Sequence, residues 1–309
     1  MTVQSSSRGP SSSGVALLEP VGSTTSTRTV RVRRGPRWLP RPGLALSLLV
    51  VALVLAWAVV PGVFTGYSPI DGVPADRLQS PSAAHVFGTD HLGRDLVARV
   101  VHGSRLTLAA TVLAVLTGLA LGSLIGLVSG FVKGVVDDVL MRAMDVLLSI
   151  PALLLSMALI TALGFGTVKI AIAVGIGSVA SFARIMRSEV LKVSASVFVE
   201  AARASGVRTT SVLFRHVLPN AAGPVLALSA LEFGAAVLAV SSLSFLGFGA
   251  PPPAPEWGAL VSGGRDYLAT SWWLTTLPGL VVAVVVLSAN RIARALEART
   301  SATWTGGDR

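Results

Sequence analysis

The chain has 309 residues, 52% of them hydrophobic and 13% charged, with a mean hydropathy of +0.73. Soluble domains carry about 25% charged residues, so this composition excludes an ordinary soluble protein and describes a multi-span membrane protein. Cysteine is absent, which excludes disulfides and thiolate metal sites. The net charge of +10 lies mainly between apolar runs, so membrane topology accounts for it rather than nucleic-acid binding.

Residues 1–42 are rich in Ser, Thr, Gly, Pro and Arg and read as a disordered basic cytoplasmic tail. The apolar run that follows, 43–66, carries no charge and has no small-residue cleavage site near Phe64, so an uncleaved N-terminal transmembrane helix is expected. An extracytoplasmic loop at 67–104 leads to a core domain at 105–299 and a C-terminal cytoplasmic tail at 300–309. Five further spans are expected at 106–132, 139–162, 167–186, 223–249 and 272–292. About 20 apolar residues cross the hydrocarbon as a helix, and no alternating ten-residue pattern suggests a barrel. The expected fold is therefore all-α and integral to the membrane, with six transmembrane helices.

Lys and Arg set the orientation. With the N-terminus in the cytoplasm, seven fall in the first tail, two at 133–142, six at 184–219 and four at the C-terminus, leaving six of 25 outside. This bias places both termini and the 187–219 segment in the cytoplasm.

Several features suggest specific roles. Gly118, Gly122, Gly126 and Gly130 recur every fourth residue in the second span, a stripe that lets two helix backbones approach closely or slide. Asp90, Arg94, Asp95 and Arg99 are spaced for mutual ion pairs, read as a structural brace or as a docking or gating surface. His85, His91 and His102 lack the spacing of a metal site. Residues 197–205 favour a helix with Ser196 as a candidate cap, Gly206 is suited to positive φ, and Thr209 or Thr210 can open a second short helix that Pro219 stops. Val207, Val212, Leu213 and Phe214 could pack into a groove rimmed by Arg203, Arg208 and Arg215, or the hairpin could lie on lipid headgroups. Glu232 is an ionisable residue midway along the fifth span, expected to face the bundle or a pathway, with Ser229 as a candidate hydrogen-bond partner. The Pro-rich segment 250–257 reads as a stiff extended linker, and Trp257, Trp272 and Trp273 as interface anchors.

Four ordered blocks carry a family resemblance. They are FGTDHLGRDLVARVVHGSRLTL at 87–108, MDVLLSIPALLL at 144–155, EAARASGVRTTSVLFRHVLP at 200–219 and LSFLGFGAPPPAPEWGALVSGGRDYL at 243–268. Together they resemble the second membrane subunit of dipeptide, oligopeptide and nickel ABC importers. The resemblance implies a type I ABC importer permease fold with cytoplasmic coupling helices, located in the cytoplasmic (inner) membrane. It maps Glu200, Ala201, Ala202, Gly206, Leu218 and Pro219 onto the coupling positions that an ATPase grips. It implies as partners a second homologous permease, two cytosolic ABC ATPases and a solute-binding protein. It also implies that ATP and Mg are bound by the ATPases. This chain has no Gly-Lys-Ser/Thr loop and only three Lys, so it holds no cofactor of that kind itself. The family often has an acid just before the LSFLG block, where this chain has Val240-Ser241-Ser242, so Glu232 is no simple substitute for it.

The resulting expectation is a non-catalytic permease importing di- or oligopeptides. Nickel or another small solute such as glutathione is the alternative substrate. An intramembrane hydrolase lacks a Ser/His pair in the spans, and a secondary transporter would need inverted repeats and would leave the hairpin unexplained.

Overall fold

The computed structural model describes residues 42–304. The expected basic tail therefore lies outside the described residues except for Pro42, as do residues 305–309 of the C-terminal tail. Among the described residues the regular elements are helices.

Helix α1 (Pro42–Val59) opens on a proline and is almost wholly apolar. Helix α2 (Leu96–Val132) begins ten residues before the expected start at 106. Asp95 caps it by accepting the Ala98 N–H at 2.7 Å. The earlier start takes Arg99 into the helix, where it lies buried beside Asp90. At 37 residues, α2 is roughly 55 Å long, so its first turns stand beyond a hydrocarbon core of about 30 Å.

The expected third span is not one helix. It divides into α3 (Val135–Ser149) and α4 (Ala152–Leu163), bent by 95°. The cause is local: a proline disfavours helical backbone at the preceding residue, and Ile150 before Pro151 is extended at φ −94°, ψ 127°.

The chain continues through α5 (Thr167–Ser194), α6 (Val197–Ala204), α7 (Thr209–Val212), α8 (Leu218–Phe245), α9 (Trp257–Gly263) and α10 (Trp273–Trp304). Helix α5 outruns its expected end at 186. Helix α10 continues past the expected boundary at 299, so that tail begins as helix.

The glycine stripe fixes the architecture. Gly118 faces Gly175 and Ser178, Gly122 faces Val179 and Phe182, Gly126 faces Ala183 and Met186, and Gly130 faces Arg187 and Val190. Both series ascend together, so α2 and α5 are parallel. The intervening α3–α4 pair must then recross the bilayer, which makes six crossings with the third one broken. Near the far end of that recrossing, Gly166 N–H donates to the Phe248 carbonyl at 3.1 Å and the Phe165 and Phe248 rings stack 5.7 Å apart.

Two ion pairs hold α3 on α5. Arg187 binds Asp137 through Nε and Nη2, each at 2.6 Å, and the Ser129 hydroxyl also donates to Asp137. Arg184 binds Asp145 at 2.6 Å, but both of those side chains are more than half exposed. Asp137 is 12% exposed and Arg187 35% exposed at the side chain, so breaking this half-buried pair costs more than breaking an exposed one, which contributes below about 1 kcal/mol. Arg187→Ala should therefore lower the thermal unfolding midpoint of the purified protein clearly, and Arg184→Ala should barely move it. Equal shifts would argue against the burial of Asp137.

Three expectations about the aromatic and proline residues need correction. Trp257 is fully buried rather than at the interface, with its indole N–H donating to the Val100 carbonyl at 2.9 Å. Trp273 is also buried, while Trp272 is 52% exposed and remains suited to an interface. The Pro-rich segment is turned, not extended, with Ala254 N–H reaching back to the Pro251 carbonyl at 3.3 Å.

Candidate functional site

The hairpin expected at 196–219 forms, and its construction follows from its sequence. Ser196 occupies the cap position of α6, but its hydroxyl donates to the Val193 carbonyl at 2.6 Å instead of capping the helix. Glu200 lies in the first turn, where a carboxylate complements the positive end of the helix dipole. Gly206 ends the helix at φ +78°, with Gly206 N–H on the Arg203 carbonyl at 3.0 Å and Val207 N–H on the Ala202 carbonyl at 3.1 Å. This pair of bonds is a Schellman motif, which requires the left-handed backbone that glycine adopts without strain.

The second arm departs from expectation. Helix α7 starts at Thr209, but Pro219 does not stop it. The helix runs from Thr209 to Phe245, with a π turn at Leu213–Val217. Proline offers no N–H to the turn before it. The wider turn, closed by Leu218 N–H on the Leu213 carbonyl, carries the chain past Pro219 without a break. The hairpin is thus joined to α5 by the short link at 195–196 and to α8 by continuous helix. That geometry suits a handle, because force applied to it reaches two membrane-crossing helices directly.

The candidate coupling residues lie on different faces of this hairpin. Glu200, Ala201, Gly206 and Pro219 are exposed, while Ala202 and Leu218 are half-buried and pack on the core beneath. Val212 cannot reach a partner's groove, because it is fully buried with Val199 and Val217 in this chain's own core. The outward apolar surface consists of Val197, 81% exposed, with Phe198, Val207 and Phe214. Sequence reasoning passed over Val197 and Phe198. The signal was the helical period, since Val199 and Ala202 at i, i+3 mark the inward face and leave their neighbours outward. Arg203 is not purely a rim residue either, because its guanidinium sits 5.9 Å over the Phe131 ring.

Glu232 is half-buried on α8 and lines a cavity of about 430 Å³ with Ser156, Ser178, Ser181 and Ser242. The Ser229 hydroxyl is not its partner, since it donates to the Leu226 carbonyl at 2.7 Å.

At the opposite end, Arg94 Nε donates to Asp90 at 2.7 Å, and Arg99 Nε lies 3.7 Å from the same carboxylate. Asp95 pairs with neither arginine, because it caps α2 and holds His85 Nδ1 at 2.9 Å. His91 stacks on Tyr267 and His102 contacts the Ala98 carbonyl, so His85, His91 and His102 are dispersed.

Comparison with known proteins is consistent with this geometry. Residues 122–302 match the family described as binding-protein-dependent transport system inner membrane component. The chain is 36% identical to the dipeptide transport system permease protein DppC of Alkalihalophilus pseudofirmus, over 80% of this chain and 81% of that protein. It is 39% identical to the glutathione transport system permease protein GsiD of Salmonella typhimurium, over 84% of each. Among solved structures, an amino acid ABC transporter aligns with a TM-score of 0.51 at 19% identity, covering 65% of this chain and 94% of that one. The MetNI methionine ABC transporter in inward-facing form aligns at 0.50 and 18%, covering 64% and 96%. At these identities the two structures speak to the fold alone.

Proposed function

We propose that this chain, which belongs to the family of binding-protein-dependent transport system inner membrane components, is the permease subunit of an ATP-driven importer of di- and oligopeptides. Its fold is that of type I ABC importer permeases, and its role is translocation without covalent catalysis. The observation that carries the reading is the hairpin: a Gly206-closed helical turn, continuous with α8 and linked to α5, that presents Phe198, Val207 and Phe214 outward. The relatives named for dipeptide transport support the substrate class.

In this reading the hairpin faces the cytoplasm and both termini lie on its side, as the Lys and Arg distribution favours. A cytosolic ATPase docks on Glu200, Ala201, Gly206 and the exposed apolar surface. Ala202 and Leu218 keep the handle stiff against the core, while the exposed Pro219 belongs with the docking residues. A second, homologous permease completes the pathway, two ATPases bind ATP and Mg, and a solute-binding protein delivers the peptide from outside. ATP binding draws the handles together, and α5 and α8 carry the movement into the membrane.

Co-purification in mild detergent should recover a second permease and P-loop ATPases, and deleting the gene should abolish uptake of a labelled dipeptide. An isolated chain that transports by itself would refute the complex. Glutathione is the second reading, favoured by the GsiD relatives at 39% identity. It predicts that glutathione competes with the labelled peptide.

Glu232 supplies a carboxyl group to the pathway for the peptide's ammonium. A lone carboxylate at mid-membrane is costly unless it meets a cavity or a cation, and Glu232 faces one with four serines. Glu232→Gln should lower uptake about tenfold with assembly and basal ATPase activity preserved. Unchanged uptake would remove Glu232 from the pathway.

A further inference from the structure

We propose that the cavity at the end of the molecule opposite the hairpin is a carboxylate-binding site, with Arg94 and Arg99 as its donors, and that it receives the C-terminal carboxylate of the entering peptide. The assignment of the carboxylate to the solute rests on the peptide-importer reading above.

The cavity measures about 980 Å³ and is walled by the 90–99 segment, the Pro251–Pro253 turn and residues 259–264. That is the size of a small-molecule site. Leu92, Leu96, Leu260 and Leu274 make much of it apolar. Its charge balance is uneven: Arg94 and Arg99 both line it, while Asp90 is the only carboxylate among its lining residues. Two further acids lie nearby outside the lining. Asp95 holds His85 and the first turn of α2. Glu256 is fully buried outside the lining and accepts the Ala250 N–H at 3.0 Å through one oxygen, while its other oxygen has no hydrogen-bond partner among the described residues.

The donor inventory points the same way. A guanidinium carries five N–H groups in a planar fork that matches a carboxylate. Among the described residues the Arg94 guanidinium donates through Nε, to Asp90. Arg99 donates through Nη1 to the Pro69 carbonyl at 2.8 Å, and its buried Nε has no acceptor among the described residues. Both residues are less than 8% exposed. Two poorly hydrated cations sharing one anion leave a positive excess in a low-dielectric site, which an entering anion offsets. The burial of both arginines favours the solute over an acidic side chain of the binding protein. A free chain terminus can enter a cavity walled by the Pro251–Pro253 turn, whereas an Asp or Glu on a folded surface reaches only its own side-chain length.

The test uses the complete importer with its binding protein in liposomes. ATP-dependent uptake of one peptide is compared with uptake of its C-terminal amide, in wild type and in Arg99→Gln. Each variant is scored by its acid-to-amide ratio, so a lower yield of folded complex cancels, and the binding protein's own preference cancels between variants. The ratio should fall about tenfold in Arg99→Gln and should rise in Asp90→Asn, which removes the competing anion. An unchanged ratio in both variants, with peptide transport intact, overturns this inference alone. So does an unchanged ratio accompanied by weaker docking of the solute-free binding protein in Arg99→Gln, because the carboxylate is then the binding protein's. A wild-type importer that moves no peptide overturns the substrate reading and this inference together.

Discussion

Gly122→Leu should leave almost no folded permease in the membrane. A Cβ built at Gly122 would stand 2.5 Å from the Val179 carbonyl oxygen, 2.5 Å from Phe182 Cβ and 3.1 Å from Ala183 N. Two of these atoms belong to the backbone of α5 and cannot swing aside as the tip of a flexible side chain would. Leucine adds three more carbons in the same direction. Overpacking typically costs 1–3 kcal/mol and occasionally more, and here the helices would have to separate. In lipid that separation is expensive in a particular way. No hydrophobic force drives one apolar helix onto another, so close contact is most of what holds them. The contrast is Gly223→Ala on α8, where an added Cβ meets nothing within 4 Å and yield should be unchanged. Both variants can be scored by membrane yield and by a monodisperse elution peak in mild detergent. A wild-type profile for Gly122→Leu would refute the parallel α2–α5 packing and, with it, the argument for six crossings.

That packing links distant parts of the protein. Helix α2 carries Arg99 near its first turn and lies along α5 through four glycines, and α5 leads into the hairpin. A close-packed pair transmits strain, so a displacement of the hairpin would be passed along α2 toward the cavity at the other end.

The spans were legible because hydropathy is a sum over about 20 residues and survives local irregularity. The glycine stripe was legible because its period of four matches one face of a helix. What escaped was direction and detail. Hydropathy is blind to a bend, so the 139–162 run read as one helix although Ile150-Pro151 marked the break. Arg99 and Arg105 lie just before the expected span at 106–132, and a sequence does not reveal that Arg99 will be buried within 3.7 Å of Asp90. Asp95, three residues before Ala98, was the overlooked cap. Trp257 read as an interface residue because indole suits both interface and core, and only the nearby Val100 carbonyl decides between them. In the hairpin, the turn at Gly206 was legible from residue type alone. The division of its faces was not, because Val212 and Phe214 differ only in which side of a short helix they occupy.

Gly206 provides the sharpest test of the handle. Gly206→Val should reduce peptide uptake by more than tenfold while the permease still inserts and elutes normally, whereas Gly206→Asn should keep most of its transport. Nothing lies within 4 Å of a Cβ at this position, and φ is +78°. Steric crowding is therefore absent and backbone conformation alone separates the two variants. The left-handed region costs an ordinary L-residue about 1–2 kcal/mol, is a true outlier for a β-branched one, and is tolerated by asparagine. Helix α6 has eight residues, too few to be stable without its terminating motif and its packing. Valine should therefore unwind the Schellman turn and soften the handle at the point where it must be stiff. The expected signature in the reconstituted importer is ATP hydrolysis that no longer depends on the binding protein and its peptide, together with the loss of uptake. If valine and asparagine behave alike, the positive φ is not what coupling requires. Equal activity would mean the turn bears no mechanical load, and equal loss would mean the ATPase contacts the surface of Gly206 itself.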